Sequence, residues 1–452
     1  VIIDTIVAQC TPSGNGALAL IRVSGPQSLK IVSQCAKLSS KKKILNVRSH
    51  TIHHGWVTDK ENGLIDEVMF FVMHAPRTFT GENVVEITTH NNTFIVQELI
   101  ERLIVCGARL AQPGEFSRQA VVNDKIDLIQ AEAINDLVHA NSQHALKQSL
   151  KQLKGTFSEW ISILEKDVLK LRALCEATFE FLEEEIDFSD QIKQSLNSIM
   201  KKVDHIKSSF DQQQRLREGV RIAIVGSVNA GKSSLFNQLL KKERAIVTNI
   251  AGTTRDVIEG GVYKEGLYWT FIDTAGLRQT NNIVEKEGIE RAYNEAQLAD
   301  IVLLVFDGSF PLTEEENSVY HSILKKCSEK IISVRNKSDL PYAKHKLLEK
   351  ALKVSTKTSS GISILEKEIE KKVKKLFVED SSPFLLNKRH FTLLVSFEKE
   401  LLIILEMLQG PIEYELVAHH LKQALETLSE MTGKTVDEKM LDTVFKDFCV
   451  GK

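Results

Sequence analysis

The residues with the clearest capacity for chemistry are Gly226-Ser227-Val228-Asn229-Ala230-Gly231-Lys232-Ser233. They match G-x-x-x-x-G-K-[ST], and they stand between an apolar run that reads as a buried strand (220–225) and a helical pattern from Ser234. The glycines let backbone N–H groups converge on phosphate oxygens at a helix N-terminus. Lys232 is placed to pair with β- and γ-phosphates and Ser233 to ligate Mg²⁺.

Three further elements follow in order. Thr253-Thr254-Arg255-Asp256 lies in a polar loop, where the Thr254 hydroxyl can reach the same metal. Asp273-Thr274-Ala275-Gly276 ends a second strand pattern; Asp273 can hold the metal through a water while the Gly276 amide senses the γ-phosphate. Asn336-Lys337-Ser338-Asp339 ends a third, and a carboxylate there accepts two hydrogen bonds from guanine N1–H and N2–H₂, a donor pair adenine lacks. Ser355-Thr356-Lys357 suits a loop closing on the guanine carbonyl. Singly these are weak signals. In this order, each at the carboxyl end of a strand, they specify guanine-nucleotide hydrolysis.

Two positions change how that hydrolysis would run. Leu277 follows Gly276, where a glutamine would orient the attacking water, so another group must do so, and Glu285 in the next loop is the candidate. Asn229 can hold a monovalent cation against the phosphates, or simply suit the turn. Such a cation would neutralise charge as an arginine finger does, worth roughly 10³–10⁵ in rate.

These loops need a scaffold. With 452 residues, about three domains are expected. Lys+Arg 58 against Asp+Glu 60 leaves a net charge of −2, which excludes a surface basic throughout and leaves room for a local patch. No apolar run approaches the ~20 residues of a membrane span, and no basic-then-apolar leader opens the chain, so no secretory signal is expected. The six cysteines form no C-x-x-C pair, which fits reduced thiols rather than a disulfide framework or zinc site.

Short alternating runs at 17–23, 68–72 and 84–88 give residues 1–118 an α+β texture. Glycine then becomes scarce, and Trp160, Leu164, Val168, Leu171 and Cys175 form one stripe of a long helix. Strand and helix patterns alternate over 217–380, as in an α/β domain. The expected organisation is an α+β domain (1–118), a helical domain in two parts (119–216 and 381–452), and the α/β domain (217–380) inserted between them. Two separate helical domains fit equally well.

The chain resembles the MnmE (TrmE) family of tRNA-modification GTPases over essentially its whole length. The resemblance is carried by Asp4-Thr5-Ile6-Val7-Ala8-Gln9, Ile21-Arg22-Val23-Ser24-Gly25, Phe79-Thr80-Gly81-Glu82, Pro113-Gly114-Glu115-Phe116-Ser117, Asn123-Asp124-Lys125-Ile126-Asp127-Leu128, Gln130-Ala131-Glu132-Ala133-Ile134, Ala251-Gly252-Thr253-Thr254-Arg255-Asp256 and Phe448-Cys449-Val450-Gly451-Lys452. It implies a P-loop GTPase domain inserted into an all-helical domain and preceded by an α+β folate-binding and dimerising domain. It also implies a homodimer whose GTPase activity is stimulated by K⁺.

Carried over by residue, the K⁺ ligands are Asn229, Thr248, the Ile250 carbonyl and Thr253, and the Mg²⁺ ligands are Ser233 and Thr254. The GTP site takes Asn229 through Ser234, Thr248, Asn249, Ile250, Ala251, Gly252, Thr253, Thr254, Asp273, Thr274, Ala275, Gly276, Asn336, Lys337, Asp339, Ser355, Thr356 and Lys357. Glu285 falls at the family's general base, with Arg278 in the same loop and Lys232 on the phosphates. A 5-formyltetrahydrofolate or related tetrahydrofolate is expected at Arg22, Glu82, Lys125 and Lys452. With an MnmG-type FAD flavoprotein, the family adds an aminomethyl or carboxymethylaminomethyl group at C5 of the wobble uridine (position 34) of certain tRNAs. The compartment expected is the cytoplasm, bacterial by preference, with a processed mitochondrial form as the alternative. The functional alternative is a ribosome-assembly switch of the Era/Der type. That reading wants an appended RNA-binding module after residue 380, where the sequence offers a helix pair.

Overall fold

The computed structural model describes residues 4–14, 16–180, 188–227, 229–241, 258–273, 294–341, 350–377, 383–410, 412–435, 437–446 and 448–451. The chain forms two compact units. One comprises Val1–Val138, Leu150–Ile199 and Leu393–Lys452, the other His139–Ser149 and Met200–Thr392.

In the first unit, alternation builds a sheet from β1 (Ile6–Gln9), β2 (Leu18–Ser24), β3 (Ala36–Leu38), β4 (Thr51–Thr58), β5 (Leu64–Met73), β6 (Val84–His90) and β7 (Arg109–Leu110). The order is β3-β4-β5-β6-β2-β1-β7, antiparallel except for the β1–β7 pair. Ala19, Ile21 and Val23 of β2 face a core shared with Phe70, Val85 and Ile87. The helix Thr93–Val105 covers that core with Val96, Leu99 and Leu103, and its first turn is capped by the Asn92 side chain accepting from the Phe94 N–H. The intervening Arg22 therefore points to the other face, directly across from Glu86 of β6.

Helical packing completes this unit. The stripe read from the sequence is largely the buried face of Thr156–Glu180, which packs along Tyr414–Thr432. A smaller apolar cluster joins Leu128 and Ala131 to Leu441, Phe445 and Phe448. Gly114 permits that approach: its φ is +68°, and a Cβ there would lie 2.8 Å from the Phe445 carbonyl oxygen. The far end of the sequence is thus packed beside the turn preceding Glu115–Val122.

The second unit holds β8 (Val220–Gly226), β9 (Ile258–Lys264), β10 (Leu267–Asp273), β11 (Ile301–Asp307), β12 (Ile331–Asn336) and β13 (Leu352–Lys353), in the order β13-β12-β11-β8-β10-β9. All neighbours are parallel except β9–β10. β11 is apolar and buried from Ile301 to Phe306, as a parallel strand covered on both faces requires. Val220, Ile222 and Ile224 belong to one core and Ala223 and Val225 to another, so β8 is central in both senses. Parallel pairing brings Gly226, Asp273, Asp307 and Asn336 to the same edge of the sheet.

Candidate nucleotide and small-molecule sites

At the end of β8 the chain turns into the helix Lys232–Lys241. The turn uses left-handed backbone at Asn229 (φ +62°) and Gly231 (φ +88°). At Gly231 a Cβ would come within 2.2 Å of Asn336 Nδ2, so glycine is required by contact as well as by backbone. Lys232 is buried, and its ammonium donates to the carbonyls of Gly226 (2.9 Å) and Ser227 (2.8 Å). Ser233 and Ser234 are exposed at the start of the helix, and Asn229 is exposed in the turn. Asp273 at the end of β10 is 1% exposed.

Asn336 is fully buried and joins two loops. Its Nδ2 donates to the Ala230 carbonyl at 2.8 Å, and its Oδ1 accepts from the Thr356 N–H at 3.2 Å. Asp339 is exposed and accepts from Ser355 Oγ at 2.6 Å. That hydrogen bond, with the nearby Lys357 and Lys337 charges, holds its carboxyl below the usual range and keeps it an acceptor. Lys337 pairs with Asp307 at 2.6 Å. Burial works against ionisation of Asp307, but the bonds from Lys337 and Ser309 outweigh it and leave its pKa lowered. Gln238 of the phosphate-loop helix donates to the Thr356 carbonyl at 3.0 Å.

The residues expected from sequence at the phosphates and at the base therefore lie together at the carboxyl edge of the sheet: Ala230, Gly231, Lys232, Asn336, Asp339, Ser355 and Thr356. Thr248, Asn249, Ile250, Ala251, Gly252, Thr253, Thr254, Thr274, Ala275, Gly276, Arg278 and Glu285 lie outside the described residues. Sequence reasoning missed Tyr320, 2% exposed, whose hydroxyl accepts from the Ser227 N–H at 2.6 Å.

The first unit carries a cavity of about 320 Å³ lined by Cys10, Arg22, Phe79, Ser117, Ile134 and Gly451. Arg22 holds Glu86 at 2.8 Å and lies over the rings of Phe116 (5.4 Å) and Phe79 (5.8 Å). It also reaches the Gly451 carbonyl at 3.4 Å, which Cys10 Sγ approaches at 3.1 Å. The Ser117 hydroxyl is buried without a hydrogen-bond partner among the described residues. Glu82 is half-buried beside this group; burial pushes its carboxyl up, partly opposed by the Ser24 hydroxyl at 3.1 Å. Lys125 is exposed, with its aliphatic stem 3.2 Å from where a Gly81 Cβ would sit. Lys452 lies outside the described residues. Cys449 is exposed, and its carbonyl accepts from the Gly114 N–H. Among the described residues no cysteine is in a disulfide.

Of the expected folate residues, Arg22 lines the cavity, whereas Glu82 and Lys125 are not among its lining residues. Cys10, Phe79, Ser117 and Ile134 were not singled out from sequence as ligand contacts. Only the buried, unpartnered Ser117 hydroxyl marks one of them physically, and burial is not visible in a sequence. Among the described residues no group of three or more His, Cys, Asp or Glu side chains is placed to hold a metal ion, and no helix is long and apolar enough to cross a membrane.

Residues 5–125 match the model for the GTP-binding protein TrmE N-terminus, and residues 128–449 that for the MnmE helical domain. The chain is 36% identical to the tRNA modification GTPase MnmE of Lachnoclostridium phytofermentans, over 99% of each chain. It is likewise 36% identical to that of Thermotoga maritima, over 99% of this chain and 100% of the relative. Among solved structures, the G domain of the T. maritima FeoB iron transporter is 28% identical with a TM-score of 0.27, covering 34% of this chain and 98% of its own. Era of Aquifex aeolicus is 23% identical with a TM-score of 0.27, covering 41% and 67%.

Proposed function

The chain belongs to the MnmE family of tRNA modification GTPases, and from that premise we propose a K⁺-stimulated GTP hydrolase that works as a homodimer with an MnmG-type FAD flavoprotein on C5 of the tRNA wobble uridine. The carbon comes from a tetrahydrofolate held in the first unit, and the added group is aminomethyl or carboxymethylaminomethyl. The protein acts in the cytoplasm. The observation that carries the nucleotide half is the Asn336 amide. It ties the Ala230 turn to the Thr356 loop, beside which the Ser355 hydroxyl donates to the Asp339 carboxylate, and this supports Asp339 as the acceptor for the guanine edge.

Before GTP enters, Lys232 is held by two loop carbonyls. On binding, its ammonium reaches the β- and γ-phosphate oxygens from the position those carbonyls set, and the loop amides stabilise the charge that develops. Ser233 and Asp273 are oxygen donors, the set a hard divalent cation takes when substrate phosphates and water supply the remainder. The family resemblance adds Thr254 to this set and gives Glu285 the role of general base, with Arg278 in the same stretch of sequence. Bound Mg²⁺ supplies electrostatic neutralisation. Asn229, exposed in left-handed backbone, offers its side-chain carbonyl to K⁺ together with Thr248, Ile250 and Thr253.

The cavity volume falls within the range of small-molecule sites. Its guanidinium, aromatic ring and buried hydroxyl suit a flat polar ring system such as a pterin, and the family resemblance assigns Glu82, Lys125 and Lys452 to the same ligand. The deciding experiment is GTP turnover in K⁺ and in Na⁺ for the full chain and for Asn229→Ala. Faster turnover in K⁺, lost in the variant, is expected. Equal rates in both salts for the unaltered chain would sink the cation mechanism.

A further inference from the structure

Lys232 is held by the Gly226 carbonyl, and that carbonyl belongs to the same peptide unit as the Ser227 N–H. In a trans peptide the two groups point in opposite directions from one rigid plane. The N–H end is itself held: it donates to Tyr320 Oη at 2.6 Å. Tyr320 Oη in turn donates to the Val305 carbonyl of β11 at 3.1 Å. The single phenolic proton is spent on the strand and a lone pair on the loop, so the directions of both bonds are fixed.

The ring is locked as well. Tyr320 lies in the helix Glu314–Lys326, and its ring packs 4.5 Å from that of Phe306. The helix starts at a capping box in which Thr313 and Glu316 satisfy each other's backbone N–H groups. Burial pushes the Tyr320 phenol up, so its proton stays in place at neutral pH. Gly226 makes the approach possible, because a Cβ there would lie 2.2 Å from the same Val305 oxygen.

We infer that Tyr320 is a positioning residue for the phosphate loop: its hydroxyl sets the plane of the Gly226–Ser227 peptide and thereby the point from which Lys232 reaches the phosphates. It touches no substrate and acts through the loop. This inference rests on the nucleotide reading above and adds to it a residue outside the motif. Without the hydroxyl, the partly buried Ser227 N–H loses this partner and the peptide is free to rotate, withdrawing the carbonyl that holds Lys232.

Tyr320→Phe keeps the ring and removes both hydrogen bonds. In the full-length protein, KM for GTP and Kd for a fluorescent GDP analogue are expected to rise about tenfold, the scale of one lost hydrogen bond at about 1.4 kcal/mol, with kcat changed less than threefold. Phe306→Leu loosens the ring packing but keeps the hydroxyl; it is expected to lower Tm and leave KM within twofold. Unchanged KM and Kd in Tyr320→Phe would overturn the inference, as would an equal rise in KM for Phe306→Leu.

A second arm needs no variant. Amide hydrogen exchange on the nucleotide-free protein should show the Ser227 N–H protected, and exchange at the rate of an open loop would overturn the assignment. Failure of the unaltered chain to bind any guanine nucleotide would remove the functional reading instead, leaving the exchange arm to decide the Tyr320 contact.

Discussion

The two candidate sites are built on opposite plans. The nucleotide site takes its residues from short contiguous stretches at the ends of parallel strands, and much of its recognition runs through backbone. Asn336 and Gln238 then tie those stretches together. The cavity of the first unit takes single side chains from positions 10, 22, 79, 117, 134 and 451. A contiguous site is robust in sequence and vulnerable at its few cross-links. A scattered site is hard to see in sequence and depends on every wall being in place.

The contrast breaks most sharply at Asn336. Asn336→Ala strips partners from the Ala230 carbonyl and the Thr356 N–H together. At about 1–3 kcal/mol for each orphaned group, guanine-nucleotide affinity measured by titration should fall at least ~30-fold, while folate binding stays as it was. Comparable losses of both ligands would mean the sites are not independent.

The cavity has a counterpart in Gly451→Ala. Its backbone has φ +91°, and the added methyl would sit 2.6 Å from the Gln9 carbonyl oxygen. The tail must shift, taking with it the carbonyl that Cys10 and Arg22 contact. Tetrahydrofolate affinity by calorimetry should fall roughly tenfold, the scale of about 1–2 kcal/mol of backbone strain, with GTP turnover unaffected. Retained affinity would show that this wall is not required.

Ser117→Ala is a finer test. Among the described residues the hydroxyl has no partner, so removing it should leave Tm unchanged or slightly raised. Folate affinity should fall about threefold to tenfold, the worth of one hydrogen bond. A lowered Tm with unchanged affinity would assign the serine to packing.

The smallest effect is a displaced pH profile. Asp339 is held low chiefly by the Ser355 hydroxyl. The ionised, guanine-accepting form therefore persists below the ordinary carboxylate pKa and is lost only as pH falls through the lowered value. In Ser355→Ala that loss should begin at higher pH, so GDP affinity measured between pH 4 and 7 drops earlier on acidification. Superimposable profiles would remove the Ser355 contribution.

The same contrast explains what could be read without coordinates. Gly226 to Ser233 announces itself because glycine positions and a neighbouring strand and helix are local properties. Strand alternation exposed β2, β5 and β6, but β3 and β7, three and two residues long, are too short to show any period. Tyr320 reads as one more apolar member of a helix stripe beside Ile323. Only the crossing of that helix over β8 and β11 gives its hydroxyl a destination. Arg22 and Glu82 stood out through family resemblance alone, and Phe79, Ile134 and Ser117 gave no sign as ligand contacts, because nothing in a sequence says which distant side chains will share a void.

Arg22 and the Gly451 carbonyl that it meets stand 429 positions apart. At about 5–20 residues per second, a ribosome needs roughly 20–90 s to travel between them. The early strands can pair long before then, but during all that time the pocket lacks one side. Newborn chains are thus exposed, half-walled, to chaperones and proteases for an interval fixed by translation speed rather than by folding, and a small molecule that fits the finished pocket has nothing complete to hold until the tail arrives.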